Sequence, residues 1–161
     1  MYSPEFLLGK ILRETGWKIS VAESCTGGLV ANKITDVPGS SEYFLGGVVA
    51  YSNDAKIKIL GVKERTIRNW GAVSKQCAVE MAIGAAKLFS ADIAIATTGI
   101  AGPGGGTKDK PVGTVYIAYK VRGRIFTDKK RFTGDRWKIK NRIAEYSLEK
   151  LVSILQKSVY H

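Results

Sequence analysis

The chain is poor in the residues that usually carry acid–base and metal chemistry. Its one histidine, His161, is the last residue. A His-based triad or a His-rich metal site is therefore not expected, because a chain end is ordinarily mobile. Two cysteines, Cys25 and Cys77, make no disulfide framework and point to a reduced, cytoplasmic setting. No apolar run approaches the ~18 residues of a membrane helix. Glu5 and Lys10 interrupt the first apolar stretch, so no signal peptide is expected either. Acidic residues are scarce as well, with 14 Asp and Glu against 25 Lys and Arg and a net charge of +11. Linkers, repeats and low-complexity tracts are missing too. A length of 161 residues suits one domain over 1–161 with room for a real core.

The excess positive charge is concentrated. Between Lys120 and Arg142 there are ten Lys or Arg and two acids, Asp128 and Asp135. Such a stretch attracts nucleic acid or phosphorylated small molecules, or it is simply a solvated surface. No stacking-aromatic motif or zinc-finger spacing supports the nucleic-acid reading.

Apolar periodicity predicts helices over Phe6–Glu14 and Thr26–Ile34, each ending at glycine or a turn. In the first, Phe6, Leu7, Ile11 and Leu12 share a face. Short runs at Lys18–Ala22, Gly46–Ser52 and Ala91–Thr97 read as strands, the last two buried. Asn53 opens a short helix with Ala55, Ile57 and Leu60, ended by Gly61, and another covers Lys63–Asn69. Ser74 is a plausible N-cap for a helix to Phe89, with Ala78, Met81, Ala82, Ala85 and Leu88 inward. Gly113–Val121 and Arg124–Phe132 form a hairpin around Arg122-Gly123. Asp135 caps a final helix to about Val159, with Ile139, Ile143, Leu151 and Leu155 inward. Strands that alternate with helices and end in a hairpin predict an α/β layered domain, with a mixed, mostly parallel sheet flanked by helices.

Three polar motifs follow predicted strands, where ligands gather in open sheets of this kind. In the first, Glu23-Ser24-Cys25-Thr26-Gly27-Gly28 joins hydroxyls and glycines to a helix start. Ser24 is a nucleophile, a phosphate ligand or an N-cap. Cys25 at a helix N-terminus has a lowered pKa if it faces the crevice and is inert if it faces the core. Glu23 either orients a lysine or ends the strand. In the second, Tyr51-Ser52-Asn53-Asp54-Ala55-Lys56, Lys56 is a general base if buried and a surface lysine like Lys58 if not. The third is Thr97-Thr98-Gly99 with the glycine-rich run to Thr107. Its backbone N–H groups suit an anion nest, although a flexible surface loop has the same composition.

These motifs, with Val37-Pro38-Gly39-Ser40-Ser41, Gly71-Ala72-Val73-Ser74, Lys110-Pro111-Val112-Gly113-Thr114 and Gly134-Asp135-Arg136, occur in order. Together they resemble the CinA C-terminal domain family, also called the nicotinamide-nucleotide amidohydrolase or PncC family. The resemblance runs from about Phe6 to the end. It implies deamidation of nicotinamide mononucleotide to nicotinate mononucleotide and ammonia, with no metal or organic cofactor. It implies Ser24 as nucleophile, Lys56 as base and Tyr51 as their assistant. Around these, Thr26, Gly27, Gly28, Thr98 and Gly99 are expected to offer donors to an oxyanion or a phosphate, and Arg136 to pair with the phosphate. A homodimer or larger homo-oligomer is expected. Many members carry a further N-terminal domain, and this chain resembles the stand-alone form.

Two other readings compete. The basic stretch suits a non-catalytic nucleotide- or nucleic-acid-binding module, whose affinity falls steeply with salt. A phosphotransferase using the glycine loop is weaker, because no carboxylate cluster lies near that loop to hold a metal.

Overall fold

The computed structural model describes residues 2–160. Five strands form one mixed sheet in the order β2-β1-β3-β4-β5. The strands are β1 (Ile19–Glu23), β2 (Phe44–Val49), β3 (Ile93–Gly99), β4 (Thr114–Val121) and β5 (Arg124–Arg131). The first three run parallel, and β4 and β5 add an antiparallel hairpin. The helices are α1 (Pro4–Thr15), α2 (Leu29–Thr35), α3 (Asn53–Leu60), α4 (Glu64–Trp70), α5 (Lys75–Phe89) and α6 (Arg136–Tyr160). The α/β class and the late hairpin agree with the alternation of elements in the sequence. Among the described residues, no helix is long and apolar enough to cross a membrane.

Strand alternation gives the sheet two different faces. One face presents Ile19, Val21, Ile93, Ile95 and Ile117 to α1, α2 and α6. The other presents Ala22, Ala94, Ala96 and Ala118 to α5, which answers with Ala78, Met81, Ala82 and Ala85. Small residues on both sides let α5 lie close to the sheet. It also lies close to α3: a Cβ on Gly84 would stand 1.9 Å from the Leu60 carbonyl oxygen, so only glycine fits there.

Several local expectations change. Helix α1 begins two residues early, because Ser3 caps the Phe6 N–H and Pro4 takes the first turn. Leu8 is buried there, while Phe6 is exposed and stacks on Tyr2. Strand β2 is an edge strand that ends at Val49 and alternates in exposure, rather than a buried run to Ser52. Leu88 points outward at 53% exposed, and Ala86 takes its place inside. The last helix follows its expected face, with Ile139, Ile143, Leu151 and Leu155 all buried, and Asp135 caps the Lys138 N–H at 2.8 Å.

Candidate active site

The connection β1–α2–β2 covers one face of the sheet, and the helices between β2 and β3 cover the other. Neighbouring strands β1 and β3 thus send their chains in opposite directions, which opens a crevice at their carboxyl ends. A cavity of about 200 Å³ lies there. Ser24 and Cys25 line it from the end of β1, Tyr51, Asn53 and Lys56 from the β2–α3 turn, and Thr98 and Gly99 from β3. Ala72, Val73, Ala101 and Arg136 complete the lining.

The β1–α2 turn is organised by Glu23, which is only 1% exposed. Its carboxylate accepts from the Thr26 hydroxyl at 2.6 Å and from the N–H groups of Gly28, Val30 and Ala31 at 3.2, 2.9 and 3.0 Å. These are the donors a helix start leaves without intrahelical partners. The side chain of Glu23 thus plugs the helix end from within, and among the described residues no ion pair joins it to Lys56. With Gly27 and Gly28 at φ of 59° and 105°, regular helix cannot begin before Leu29. That explains why α2 is shorter than the predicted Thr26–Ile34.

This plug alters the expected roles around it. Thr26 is fully buried, with its hydroxyl 2.8 Å from that of Thr97. The Gly27 N–H donates to the Ser24 carbonyl at 3.1 Å, and the Gly28 N–H goes to Glu23. None of these three lines the cavity. The side chain of Cys25 is buried, and burial pushes its thiol up to about 12, the opposite of the lowering expected at an open helix end. Among the described residues, the Ser24 hydroxyl makes no hydrogen bond and the Cys25 N–H meets only its own thiol.

In α3 the inward residues are Lys56 and Leu60, while Ile59 faces out. The helix hides a lysine and exposes an isoleucine, against its own hydrophobic economy. Lys56 is 2% exposed. Its Nζ donates to the Tyr51 carbonyl at 2.9 Å, and among the described residues no carboxylate pairs with it. Burial holds its pKa below the usual lysine range, while the Cys77 and Cys25 thiols act in the opposite direction. Ser52 caps the helix by accepting from the Ala55 N–H, which fixes the turn between Tyr51 and Lys56.

Tyr51 stands at the mouth of the cavity, 61% exposed. Arg136 crosses to it from the start of α6. Its two terminal nitrogens donate to the Tyr51 hydroxyl at 3.1 Å and to the Gly102 carbonyl at 2.6 Å. Among the described residues it has no acidic partner, so its remaining donors are free for an anion. Thr98 and Gly99 belong to β3 and pair with Tyr116 and Val115 of β4, rather than starting a loop. The Thr98 hydroxyl donates to the Ala72 carbonyl at 2.8 Å. Asn53, Ala72, Val73 and Ala101 also line the cavity, where the sequence assigns them no chemical role. All four fall within the Tyr51–Lys56, Gly71–Ser74 and Thr97–Thr107 motifs.

A crevice at the ends of parallel strands, holding a serine and a buried amine, lies where open α/β sheets gather their ligands. The comparisons agree with the motifs. Residues 3–155 match the CinA C-terminal domain, and the chain belongs to this family. It is 52% identical over 147 residues to a CinA-like protein of Kosmotoga olearia, covering 91% of this chain and 36% of that one. A CinA-like protein of Fusobacterium nucleatum is 53% identical over 148 residues, covering 92% and 36%. The chain thus spans little more than a third of these relatives. The crystal structure of the competence damage-inducible protein A (ComA) of Klebsiella pneumoniae superposes with a TM-score of 0.91 at 36% identity, covering 96% of this chain and 98% of that one. The competence/damage inducible protein CihA of Agrobacterium tumefaciens gives 0.89 at 42% identity, covering 96% of each chain.

Proposed function

We propose that this chain is an amidohydrolase that converts nicotinamide mononucleotide to nicotinate mononucleotide and ammonia, with Ser24 as nucleophile and Lys56 as general base. The observation that carries the reading is a buried lysine without a carboxylate, opening on the same cavity as a serine whose hydroxyl has no partner. Burial favours the neutral amine, and a neutral amine can accept the serine proton.

Ser24 Oγ attacks the amide carbon and passes its proton to Lys56. The Cys25 N–H, on the cavity-lining residue that follows Ser24, is the natural donor to the oxyanion. As the tetrahedral centre collapses, the C–N bond breaks and Lys56 returns the proton to the leaving nitrogen, which departs as ammonia. Water then attacks the acyl-Ser24 ester, again with Lys56 as base, and releases the carboxylate. Atoms balance as one water in and one ammonia out, and the residues named supply every proton transfer.

A cavity of about 200 Å³ is small beside the ~300–1,000 Å³ of pockets that engulf a whole ligand. It suits the pyridine ring and its amide, with the ribose phosphate at the mouth beside Arg136 and Tyr51. The test is ammonia release from nicotinamide mononucleotide, compared with free nicotinamide. Release from the nucleotide that vanishes in Ser24→Ala supports the reading. Full activity in Ser24→Ala, or no release by folded wild type, refutes it.

A further inference from the structure

A second surface departs from ordinary charge balance. Along the edge of β5 and the start of α6, cations rest on aromatic rings instead of carboxylates. Lys130 Nζ lies 5.0 Å from the centroid of the Tyr146 ring, and that ring lies 5.8 Å from Phe132. Arg142 covers Phe132 at 5.8 Å. From Arg142 the surface runs into a hollow of about 440 Å³, walled by Trp137, Lys33 and Lys138. Trp137 is 71% exposed, unusual for the largest apolar side chain. Among the described residues, the only ion pair on this strip is Arg142 with Glu145 at 3.7 Å, and Lys33, Lys130 and Lys138 have none.

Cations seated on rings are held in place without being neutralised. An exposed indole beside these two cations and the unpaired Lys33 and Lys138 has the two parts of a single-strand platform: a positive track for the backbone and a flat face for a base. We propose that this strip binds single-stranded nucleic acid, with phosphates along Lys130, Arg142, Lys138 and Lys33 and an unpaired base stacked on Trp137. A duplex keeps its bases stacked on one another and offers none to the indole. Trp137 and the three lysines stand outside the cavity lining, so the inference does not depend on the amidase reading.

The test is fluorescence anisotropy of a labelled oligothymidylate of about 20 nucleotides, titrated with the whole chain. For about four phosphate contacts, affinity should fall about 50-fold between about 50 and about 200 mM salt. Trp137→Ala should weaken binding about ten-fold, while Trp137→Phe, which keeps a ring, should retain most of it. Lys130→Gln and Lys138→Gln should each lower the salt slope by about one contact. Unchanged circular dichroism and thermal midpoint in these variants would show that the fold is intact. No binding at low salt, equal affinity in Trp137→Ala, or tighter binding of a duplex or of anionic vesicles would overturn the proposal.

Discussion

The turn that leaves β1 and the turn that leaves β2 each bury a charged side chain beside the same cavity, and they treat it in opposite ways. Glu23 receives four hydrogen bonds, three of them from backbone N–H groups at the start of α2. Lys56 makes one, to the Tyr51 carbonyl. A buried carboxylate with every neighbour turned toward it is structural, because any proton transfer would undo the turn it holds. A buried amine with a single neutral partner bears a desolvation cost that the fold does not recover. The proposed deamidation gives such a group a use. In the proposed mechanism Lys56 is the reagent, and Glu23 holds the turn that carries Ser24.

Ways to break this contrast differ in size. Ser24→Ala carries the largest effect, a fall in kcat of roughly ten-thousand-fold with substrate binding retained, read by ammonia release and by calorimetric titration of the nucleotide. Lys56→Met should lower kcat about a thousand-fold. In wild type, kcat/KM should fall as pH drops through the Lys56 pKa, which lies below that of an ordinary lysine. The linked stability has a definite sign. Between the folded and the unfolded value the unfolded chain holds the extra proton, so stability rises with pH across that window, and Lys56→Met should erase the slope. Denaturant titrations at several pH values measure this.

Glu23→Gln reverses the pattern. It replaces an acceptor of four bonds by an amide that brings donors among donors, and it should cost about 3 kcal/mol of stability by chemical denaturation. Arg136→Ala should raise KM about ten- to hundred-fold with a smaller change in kcat, as expected for the loss of a charged contact of about 1.5–3 kcal/mol. Cys25→Ala is the mildest. With its thiol pushed up to about 12, Cys25 stays protonated at neutral pH, and activity should remain within a few-fold of wild type.

The sequence revealed the ends of the sheet better than the contents of the turns. Ser24, Tyr51 and Lys56 could be placed near one another because strands followed by small polar residues end at one edge, whereas Arg136 came only from the Gly134-Asp135-Arg136 motif at a helix start. The inward face of α3 could not be read, since eight residues hold too little periodicity to rank Lys56 against Ile57 and Ile59. The packing of α3 against α5, close enough at Leu60 to require Gly84, is visible only in the fold. The role of Glu23 was hidden for a different reason. Its four donors lie three to eight residues later in the chain, and only φ values reserved for glycine at Gly27 and Gly28 curl them back onto the carboxylate. The outward turn of Trp137 beside the basic strip is a tertiary fact, so composition gave the charge without its platform.

The most direct test measures ammonia release and thermal midpoint on one preparation of Lys56→Met beside wild type. The account predicts that deamidation is lost while the midpoint holds or rises, because a buried amine with one partner is replaced by an apolar chain of similar length. Retained deamidation, or a midpoint that falls together with the activity, would contradict it and make Lys56 a structural residue like Glu23.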